Sequence, residues 1–310
     1  MNISFVIPVL NGDKYIQQCL ESIFSEITEV DEVIVIDNGS TDRTVSIVES
    51  FENVELLIQP DITVAAMRNR GEALSRNMLL AFIDADCVLC EGWRRQVIDV
   101  FANGSVHAAG SLYDIPDNAC WIEKAWFSQK VTEKAQAKYI NSGNLVVWRA
   151  VFNALNGFDE TLVSDEDCDF GERLNKAGYF MLEDPNIRVV HLGNPKSVKE
   201  FYVKETWHAT SALAGQTLNS LDRLTMMSIF FGISVLFSFV FIVAAVFVGA
   251  NLLWLVLSVL FVPLVTAIYR AHQFKRYRYI PELTLLWWIF YLVRIKNIVN
   301  HILANRVINA

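Results

Sequence analysis

Short apolar runs alternate with amphipathic stretches over roughly the first hundred residues, and this alternation constrains the fold more than any other feature. Four runs have the length and composition of buried strands: Ile3–Val9, Glu32–Asp37, Val54–Ile58 and Leu79–Asp84. Between these runs, apolar residues recur at the spacing of a helix face. Strands that alternate with helices form a mostly parallel sheet with helices on its faces. The sequence therefore predicts an α/β fold.

The fourth run ends in two carboxylates one residue apart, Asp84 and Asp86. In open α/β sheets, ligands bind at the carboxyl ends of the strands. Carboxylate oxygens are the ligands that hard divalent cations prefer in proteins. This pattern predicts a site for a phosphate together with Mg²⁺ or Mn²⁺, whereas a polar loop without a ligand is the alternative.

Polar residues also follow other predicted elements. Asp37 and Asn38 end the second run, beside Pro8 and Val9 at the end of the first. Their carboxylate and amide groups can pair with the edge of a pyrimidine, or they can form an Asx-type turn with their own backbone. Arg68 lies on the helix before the fourth run, where its guanidinium can bind a phosphate or belong to a solvated helix face.

Four carboxylates crowd into five residues near the start of a later predicted helix. They are Asp165, Glu166, Asp167 and Asp169. The helix dipole favours one or two acids in a first turn, so four exceed what capping requires. Asp167 lies one turn before Phe170, on the side that faces the protein, where a partly desolvated carboxylate can act as a general base.

Histidine and cysteine supply the remaining candidate ligands. His191 ends the apolar run Ile187–Val190, where a structural role and a phosphate or metal contact are both open. The five cysteines are scattered, as expected of reduced thiols. Cys87 and Cys90 have the C-x-x-C spacing, but no second pair completes a zinc site, so packing is their expected role.

The second half of the chain is unusually apolar. The whole chain is 53% hydrophobic with a mean hydropathy of +0.31, and no charged residue occurs between Arg223 and Arg270. A helix needs about 20 apolar residues to cross a bilayer, so we predict transmembrane helices at about 226–248 and 252–269. A buried soluble hairpin is the alternative. We also predict an interfacial helix at about 197–218 and a short interfacial or re-entrant segment at about 281–298.

Charge is divided unevenly along the chain. The net charge is −8, but the residues from Arg270 onward carry +6, so the preceding 269 residues carry −14. An acidic head argues against nucleic acid as a partner. The positive-inside rule places both head and tail in the cytoplasm, and the strand starting at Ile3 leaves no room for a signal peptide. We therefore predict a cytoplasmic domain 1–218 and a multi-pass inner-membrane domain 219–310.

Taken together, these motifs resemble those of family 2 glycosyltransferases, which are inverting enzymes of GT-A fold. The resemblance covers about residues 1–215 and rests on seven segments in the right order. The segments are Ser4–Gly12, Val35–Asp42, Arg68-Asn69, Phe82–Asp86, Asn141–Asn144, Gly157–Glu160 and Glu166–Asp169. Processive relatives carry Q-x-x-R-W, which Lys204–His208 does not supply, so the resemblance implies transfer of one sugar or a few.

The resemblance also implies roles for individual residues. The predicted nucleotide-binding residues are Pro8, Val9, Asn11, Asp37, Asn38, Arg68 and Asp84. Asp84, Asp86 and His191 are the predicted ligands of Mn²⁺ or Mg²⁺, with Asp86 closer than Asp84. Asp167 is the predicted base, flanked by Glu166, and Gly143, Asn144 and Asp169 are predicted to face the sugar or acceptor. Many relatives have a second aspartate in place of Asn38, so the preferred nucleobase stays open.

The implied activity is inverting transfer of a sugar from a UDP- or dTDP-sugar to a hydroxyl group in cell-envelope glycan assembly. The predicted membrane segments favour a lipid-linked saccharide or a glycolipid as acceptor, and the chain is expected to bind a membrane and to be able to self-associate. One alternative is a polyprenyl-phosphate glycosyltransferase, and another is a non-catalytic membrane-anchored binder of nucleotide sugars. A dinucleotide-dependent oxidoreductase is disfavoured because no G-x-G-x-x-G follows the first strand.

Overall fold

The computed structural model describes residues 1–129, 132–212, 225–235 and 253–308. The chain forms two compact units. The first comprises Met1–Asn118 and Phe127–Asn194, and the second comprises Ala119–Trp126 and Pro195–Ala310. Each unit is described by itself below.

The first unit alternates strands and helices, as the apolar runs predict. Its strands are β1 Ile3–Val9, β2 Glu32–Asp37, β3 Val54–Ile58, β4 Leu79–Ile83, β5 Cys87–Leu89, β6 Ala108–Gly110, β7 Ala135–Gln136, β8 Asn144–Trp148, β9 Met181–Glu183 and β10 Val189–His191. Its helices are α1 Ile16–Glu26, α2 Thr44–Glu49, α3 Val64–Leu74, α4 Trp93–Phe101, α5 Arg149–Ala154 and α6 Glu166–Lys176.

Eight of these strands form one sheet in the order β3-β2-β1-β4-β8-β6-β9-β7. The four strands from β3 to β4 are parallel, β8 is antiparallel to β4 and β6, β9 is parallel to β6, and β7 is antiparallel to β9. The predicted α/β fold with a mostly parallel sheet is therefore confirmed. β5 and β10 form a separate antiparallel ribbon, in which His191 lies opposite Cys87.

The sheet is covered by helices on both faces, and β1 is buried along its whole length. Phe5 belongs to the core that includes Trp93 of α4, whereas Val6 belongs to the core on the other face. Gly71 allows α3 to lie close to the sheet, since a Cβ atom there would be 2.2 Å from Cγ1 of Val6. This close approach carries Arg68, one turn earlier on α3, into the protein interior.

The second unit is helical where it is described. It contains α7 Val198–Ala212, helical residues 225–235, α8 Leu253–Gln273, a 3₁₀ turn Tyr277–Tyr279 and α9 Ile280–Ile308. Trp126 contacts the rings of Phe201 and Trp287, and the Arg270 guanidinium lies 4.3 Å from its ring centroid. An aromatic cluster thus forms the core of this unit.

No helix among the described residues is long and apolar enough to cross a membrane. Of the predicted spans, residues 236–248 and 252 lie outside the described residues. In α8, seventeen residues precede Arg270, fewer than the ~20 that a span needs. The predicted segment 281–298 belongs to the 29-residue helix α9, which contains Glu282, Arg294 and Lys296.

The prediction of C-terminal transmembrane segments is therefore wrong for the described helices, and so is the multi-pass inner-membrane location with a cytoplasmic head. A long uncharged stretch of sequence is not sufficient for a span, which requires about 20 apolar residues within one helix. The predicted helix at 197–218 corresponds to α7 over its first part, and residues 213–218 lie outside the described residues.

Candidate active site

A buried guanidinium joins two of the predicted acidic motifs. Arg68 is 3% exposed and donates from Nη1 to Oε1 of Glu166 and from Nη2 to Oδ1 of Asp84, both at 2.7 Å. Burial lowers the pKa of Arg68, but the negative charges of Asp84, Glu166 and Asp167 outweigh it and raise the pKa. Arg68 thus fixes the end of β4 against the start of α6, and both of its Nη groups bind carboxylates. Its predicted phosphate contact stays a prediction.

The loop before β8 is bonded to the first turn of α6. Ser142 donates from Oγ to Oε1 of Glu166 at 3.0 Å, and its backbone N–H donates to Oδ2 of Asp167 at 3.2 Å. The other carboxylate oxygen of Asp167 accepts the backbone N–H of Cys168 at 2.8 Å. These hydrogen bonds hold the predicted base in one orientation beside residues 142 and 143.

Asp167 has a strongly perturbed acidity. Burial raises its pKa to about 6, and the charge of neighbouring Glu166 adds to this effect. The N–H group of Ser142 and the Arg68 guanidinium act in the opposite direction without cancelling it. A carboxylate with a pKa near the pH of a cell is well matched to proton transfer from a hydroxyl group.

A mixed group of possible metal ligands lies where β4 ends. Ligand atoms of Asp84, Asp86, Cys87 and His191 all lie within 4.8 Å of one another. The Cys87 N–H donates to the Asp84 carbonyl at 2.9 Å, which closes a turn between β4 and β5. The β5–β10 ribbon then brings His191 Nε2 to 3.5 Å from Oδ1 of Asp86. These donor atoms fit a divalent cation, in agreement with the sequence prediction.

Sequence reasoning missed Tyr113, which connects several parts of this cluster. Its hydroxyl donates to Oδ2 of Asp84 at 3.5 Å and accepts the backbone N–H of Gly143 at 3.1 Å. Its ring centroid lies 5.0 Å from that of His191. Burial raises the pKa of Tyr113 well above its ordinary value, so the phenol keeps its proton. No sequence pattern distinguishes this tyrosine.

Two glycines lie against the strand-end carboxylates. A Cβ atom on Gly143 would be 2.2 Å from Oδ2 of Asp84 and 2.5 Å from the hydroxyl oxygen of Tyr113. A Cβ atom on Gly193 would be 1.8 Å from Oδ2 of Asp86. Gly143 was predicted to face the sugar or acceptor, and the structure places it directly beside Asp84. Gly193 was missed, although its position two residues after His191 was a usable signal.

The predicted nucleobase residues lie at the ends of β1 and β2. Pro8 and Val9 pair with Ile36 and Asp37 across the two strands. Oδ1 of Asp37 accepts the backbone N–H groups of residues 39 and 40 at 2.9 and 2.8 Å, so the Asx-type turn is present. Oδ2 of Asp37 is buried and makes no hydrogen bond among the described residues. One carboxylate oxygen therefore shapes the turn, while the other is buried without a hydrogen-bond partner among the described residues.

Two further residues of this region bind backbone groups. The Asn38 amide donates to the Ile62 carbonyl at 3.0 Å and accepts the Ile62 N–H at 3.1 Å. Asn11 has a φ of +50°, and its side-chain oxygen accepts the Thr41 N–H at 2.9 Å. Both side chains fix loops around the end of the sheet in this structure.

Two of the predicted sugar-facing residues have other contacts. Asn144 is completely buried, accepts the indole N–H of Trp93 at 3.1 Å and donates to the Ile187 carbonyl at 2.8 Å. Its side chain therefore supports β8 in this structure, and its predicted contact with the sugar or acceptor stays a prediction. Asp169 forms an ion pair with Arg173 at 2.7 Å, one turn along α6.

A mostly parallel sheet with carboxylates at its strand ends gives this unit a GT-A-like α/β fold. The sequence model described as glycosyl transferase family 2 matches residues 4–154. Just under half of the chain is therefore similar to family 2 glycosyltransferases.

Individual relatives agree with this class. Glycosyltransferase AglE of Haloferax volcanii is 27% identical over 208 residues, which are 62% of this chain and 67% of AglE. Uncharacterized glycosyltransferase YibD of Escherichia coli is 34% identical over 88 residues, 27% of this chain and 26% of YibD. The chain thus matches between about a quarter and two thirds of the length of these curated relatives.

A solved structure supports the fold. Mannosyltransferase PcManGT from Pyrobaculum calidifontis, in complex with GDP-Man and Mn²⁺, superposes with a TM-score of 0.61 at 15% identity. The match covers 96% of this chain and 86% of that one. At this identity the likeness concerns the fold alone.

Proposed function

We propose that this protein transfers a sugar from a nucleoside-diphosphate donor to a hydroxyl group, with inversion at the anomeric carbon. One observation carries the proposal. Ser142 donates its backbone N–H to Asp167, the candidate base, and the next residue, Gly143, lies against Asp84 of the cation-binding cluster. One short loop therefore contacts both the base and the cluster that would bind the diphosphate. This arrangement suits a displacement at the anomeric carbon of the donor, which would lie between them. The family 2 match supports the same reaction class.

The residues at the end of β4 fit a divalent cation. Asp86 and His191 would hold Mn²⁺ or Mg²⁺ together with Asp84, and the ion would neutralise the departing diphosphate as a Lewis acid. Arg68 keeps Asp84 at a fixed distance from α6, so that this side of the cluster does not depend on a flexible loop. Asp84 and Asp86 are about 30% exposed in their side chains, which leaves them open to a donor.

Asp167 would take the proton of the acceptor hydroxyl as its oxygen attacks the anomeric carbon from the face opposite the nucleotide. The sugar–phosphate bond breaks as the new glycosidic bond forms, so an α-linked donor gives a β-linked product. General-base help of this kind typically contributes about 10²–10⁴-fold to a rate. Glu166 binds Arg68 and Ser142, and its role would be to position the first turn of α6.

The nucleobase would lie against Pro8 and Asp37. Oδ2 of Asp37 is a buried acceptor without a partner among the described residues. It would suit the imide N–H of uracil or thymine, and the groups that cover it would have to move as the base binds. Asn38 would retain its two bonds to Ile62 rather than pair with the base. This arrangement favours a UDP- or dTDP-sugar as donor.

The acceptor remains a prediction. The expected lipid-linked saccharide or glycolipid rested on membrane spans that the described helices do not supply, so that support is gone. A lipid phosphate, the acceptor of the alternative activity, is already ionised near neutral pH and needs no base. The raised pKa of Asp167, about 6, therefore favours a hydroxyl acceptor over a phosphate. Non-processive transfer also stays a prediction.

A panel of nucleotide sugars, assayed with Mn²⁺ for hydrolysis and for transfer to saccharide and lipid-phosphate acceptors, tests the proposal. Asp167→Asn should lower turnover by about 10²–10⁴-fold and leave UDP affinity, measured by calorimetry, near that of the wild type. Asp165→Asn is the matched control, since Asn tolerates the left-handed backbone at this position (φ +64°). Near-normal turnover of Asp167→Asn would remove Asp167 from the role of base.

A further inference from the structure

We propose that the cluster at the end of β4 is also a zinc site, in which Cys87 supplies a sulfur ligand and bound Zn²⁺ blocks the transferase. The zinc site itself stands on the described geometry, whereas the block rests on the proposed function. Cys87 has no part in the proposed reaction, yet its sulfur lies within 4.8 Å of ligand atoms from two carboxylates and an imidazole.

The ribbon places the sulfur and the imidazole on the same side. Cys87 and His191 are directly opposite each other in the antiparallel pair of β5 and β10, and opposed residues project from the same face. Cys87 is completely buried and His191 is 6% exposed, whereas Asp84 and Asp86 lie toward solvent. The cluster therefore has a buried side of sulfur and nitrogen and an open side of carboxylate oxygens.

The spacing of these ligands suits a tetrahedral ion. Two ligands about 2.0–2.1 Å from zinc in a tetrahedron lie about 3.3 Å apart. His191 Nε2 and Asp86 Oδ1 are 3.5 Å apart without any adjustment. Asp84 and Cys87 each offer a ligand atom within 4.8 Å of a ligand atom of Asp86 and of His191, which completes a set of four residues.

The identity of the metal then determines which ligands are used. Thiolate sulfur favours zinc, whereas Mg²⁺ and Mn²⁺ favour oxygen ligands, so these ions would bind Asp84, Asp86 and His191 and leave Cys87 out. Zinc with four protein ligands forms a closed site, whereas a catalytic site must keep a position open for substrate. Zinc on all four residues would leave no position for the diphosphate of the donor.

Cobalt provides a direct test, because Co²⁺ occupies zinc sites and a thiolate ligand gives it a strong near-ultraviolet charge-transfer band. The full chain titrated with Co²⁺ should show this band at one equivalent, and Zn²⁺ should abolish it. Cys90→Ser should retain the band and Cys87→Ser should lose it. Retention in Cys87→Ser, or no band in the wild type, would overturn the proposal.

A measurement on the wild-type protein guards against misfolding of the buried variant. X-ray absorption at the zinc edge should show one sulfur at about 2.3 Å among nitrogen and oxygen at about 2.0–2.2 Å. A first shell of nitrogen and oxygen alone would contradict the assignment, whatever Cys87→Ser does.

Inhibition is tested by zinc titration of Mn²⁺-supported turnover, with each variant normalised to its own zinc-free rate. Loss of a group that only supports a metal ligand costs about 10–100-fold in affinity, so loss of Cys87 should raise the half-inhibitory zinc concentration at least tenfold. Cys90→Ser should behave like the wild type. Equal inhibition of all three proteins would show that zinc bound through Cys87 is not the cause of the block, and would leave the binding result intact. A cobalt band without any sugar transfer would refute the proposed function alone.

Discussion

Two parts of the candidate site are held in place by different kinds of contact. The nucleobase side, defined as Asn11, Asp37 and Asn38, is fixed by bonds from side chains to loop backbone. The acidic side, defined as Arg68, Asp84, Asp86, Glu166 and Asp167, is held mainly by ion pairs and hydrogen bonds between side chains. Arg68 alone joins residues that are 16 and 98 positions away in the sequence.

This difference determines how each part should respond to change. A side chain that bonds to backbone loses one or two hydrogen bonds when it is replaced, each with a net value of about 1 kcal/mol. A charge buried among opposite charges leaves those charges unpaired when it is removed, which costs about 3–5 kcal/mol. Substitutions on the acidic side should therefore have much larger effects than substitutions on the nucleobase side.

Arg68→Met should have the largest effect. It would leave Glu166 buried without its guanidinium and Asp84 without its partner, and should reduce the free energy of unfolding by about 3–5 kcal/mol. Denaturant unfolding measures this change. Arg70→Met is the control, because Arg70 lies 3.6 Å from Glu160 on the exposed surface and should cost at most about 1 kcal/mol. Similar losses in both variants would mean that the acidic side is not specially coupled.

Gly143→Ala should come next. The new Cβ atom would overlap Oδ2 of Asp84 and the Tyr113 hydroxyl, so the carboxylate must move from the cation-binding cluster. We expect about a 10²-fold loss of kcat/KM at fixed Mn²⁺, because a displacement of about 1 Å in a catalytic group can cost that much. Gly104→Ala is the control: nothing lies within 4 Å of its Cβ, so it should keep its activity, although its φ of +69° should cost some stability. Unchanged turnover of Gly143→Ala would contradict the placement of Asp84 in the site.

The pH dependence should show a smaller effect, with opposite signs for activity and stability. The pKa of Asp167 is raised from 3.8 to about 6, so kcat/KM should fall about tenfold per pH unit below 6 as the base becomes protonated. The folded state binds this proton more tightly than the unfolded state, so stability should fall as pH rises from about 4 through 6. Rate and unfolding profiles of the wild type and Asp167→Asn measure both slopes, and a stability slope identical in the two proteins would refute the assignment.

Asn38→Asp should have the smallest effect. The carboxylate can still accept the Ile62 N–H but cannot donate to the Ile62 carbonyl, so stability should fall by about 1 kcal/mol. UDP affinity should change by less than about threefold, because Asp37 rather than Asn38 is the proposed contact to the base. A loss of UDP binding beyond tenfold by calorimetry would show that Asn38 pairs with the base, and that the nucleobase side is as sensitive as the acidic side.

The sequence predicted the first four strands and the turn after Asp37 well because both depend on local patterns. Apolar runs located β1 to β4, and the Asx-type turn after Asp37 was one of the two stated alternatives. The acids of the acidic side were singled out for the same reason, since the ends of strands and the starts of helices can be recognised from the local sequence.

The partners of those acids were not predictable. Nothing near Arg68 in the sequence indicates that its guanidinium binds Glu166, and Tyr113 belongs to no motif. Asn144 lies in a motif but is buried, because its amide satisfies polar groups of the core. The membrane prediction failed for a related reason. It relied on the apolar composition of a stretch of sequence, whereas a span requires one helix that is both long and apolar enough, and none of the described helices is.

The ribbon of β5 and β10 has a consequence for biosynthesis. Its two strands lie about a hundred positions apart, and His191 is near the end of the first unit. A nascent chain on the ribosome can complete β1 to β4 well before His191 leaves the exit tunnel. The proposed metal-binding cluster is therefore among the last parts of this unit to form, and the emerging polypeptide passes most of its synthesis with this cluster incomplete.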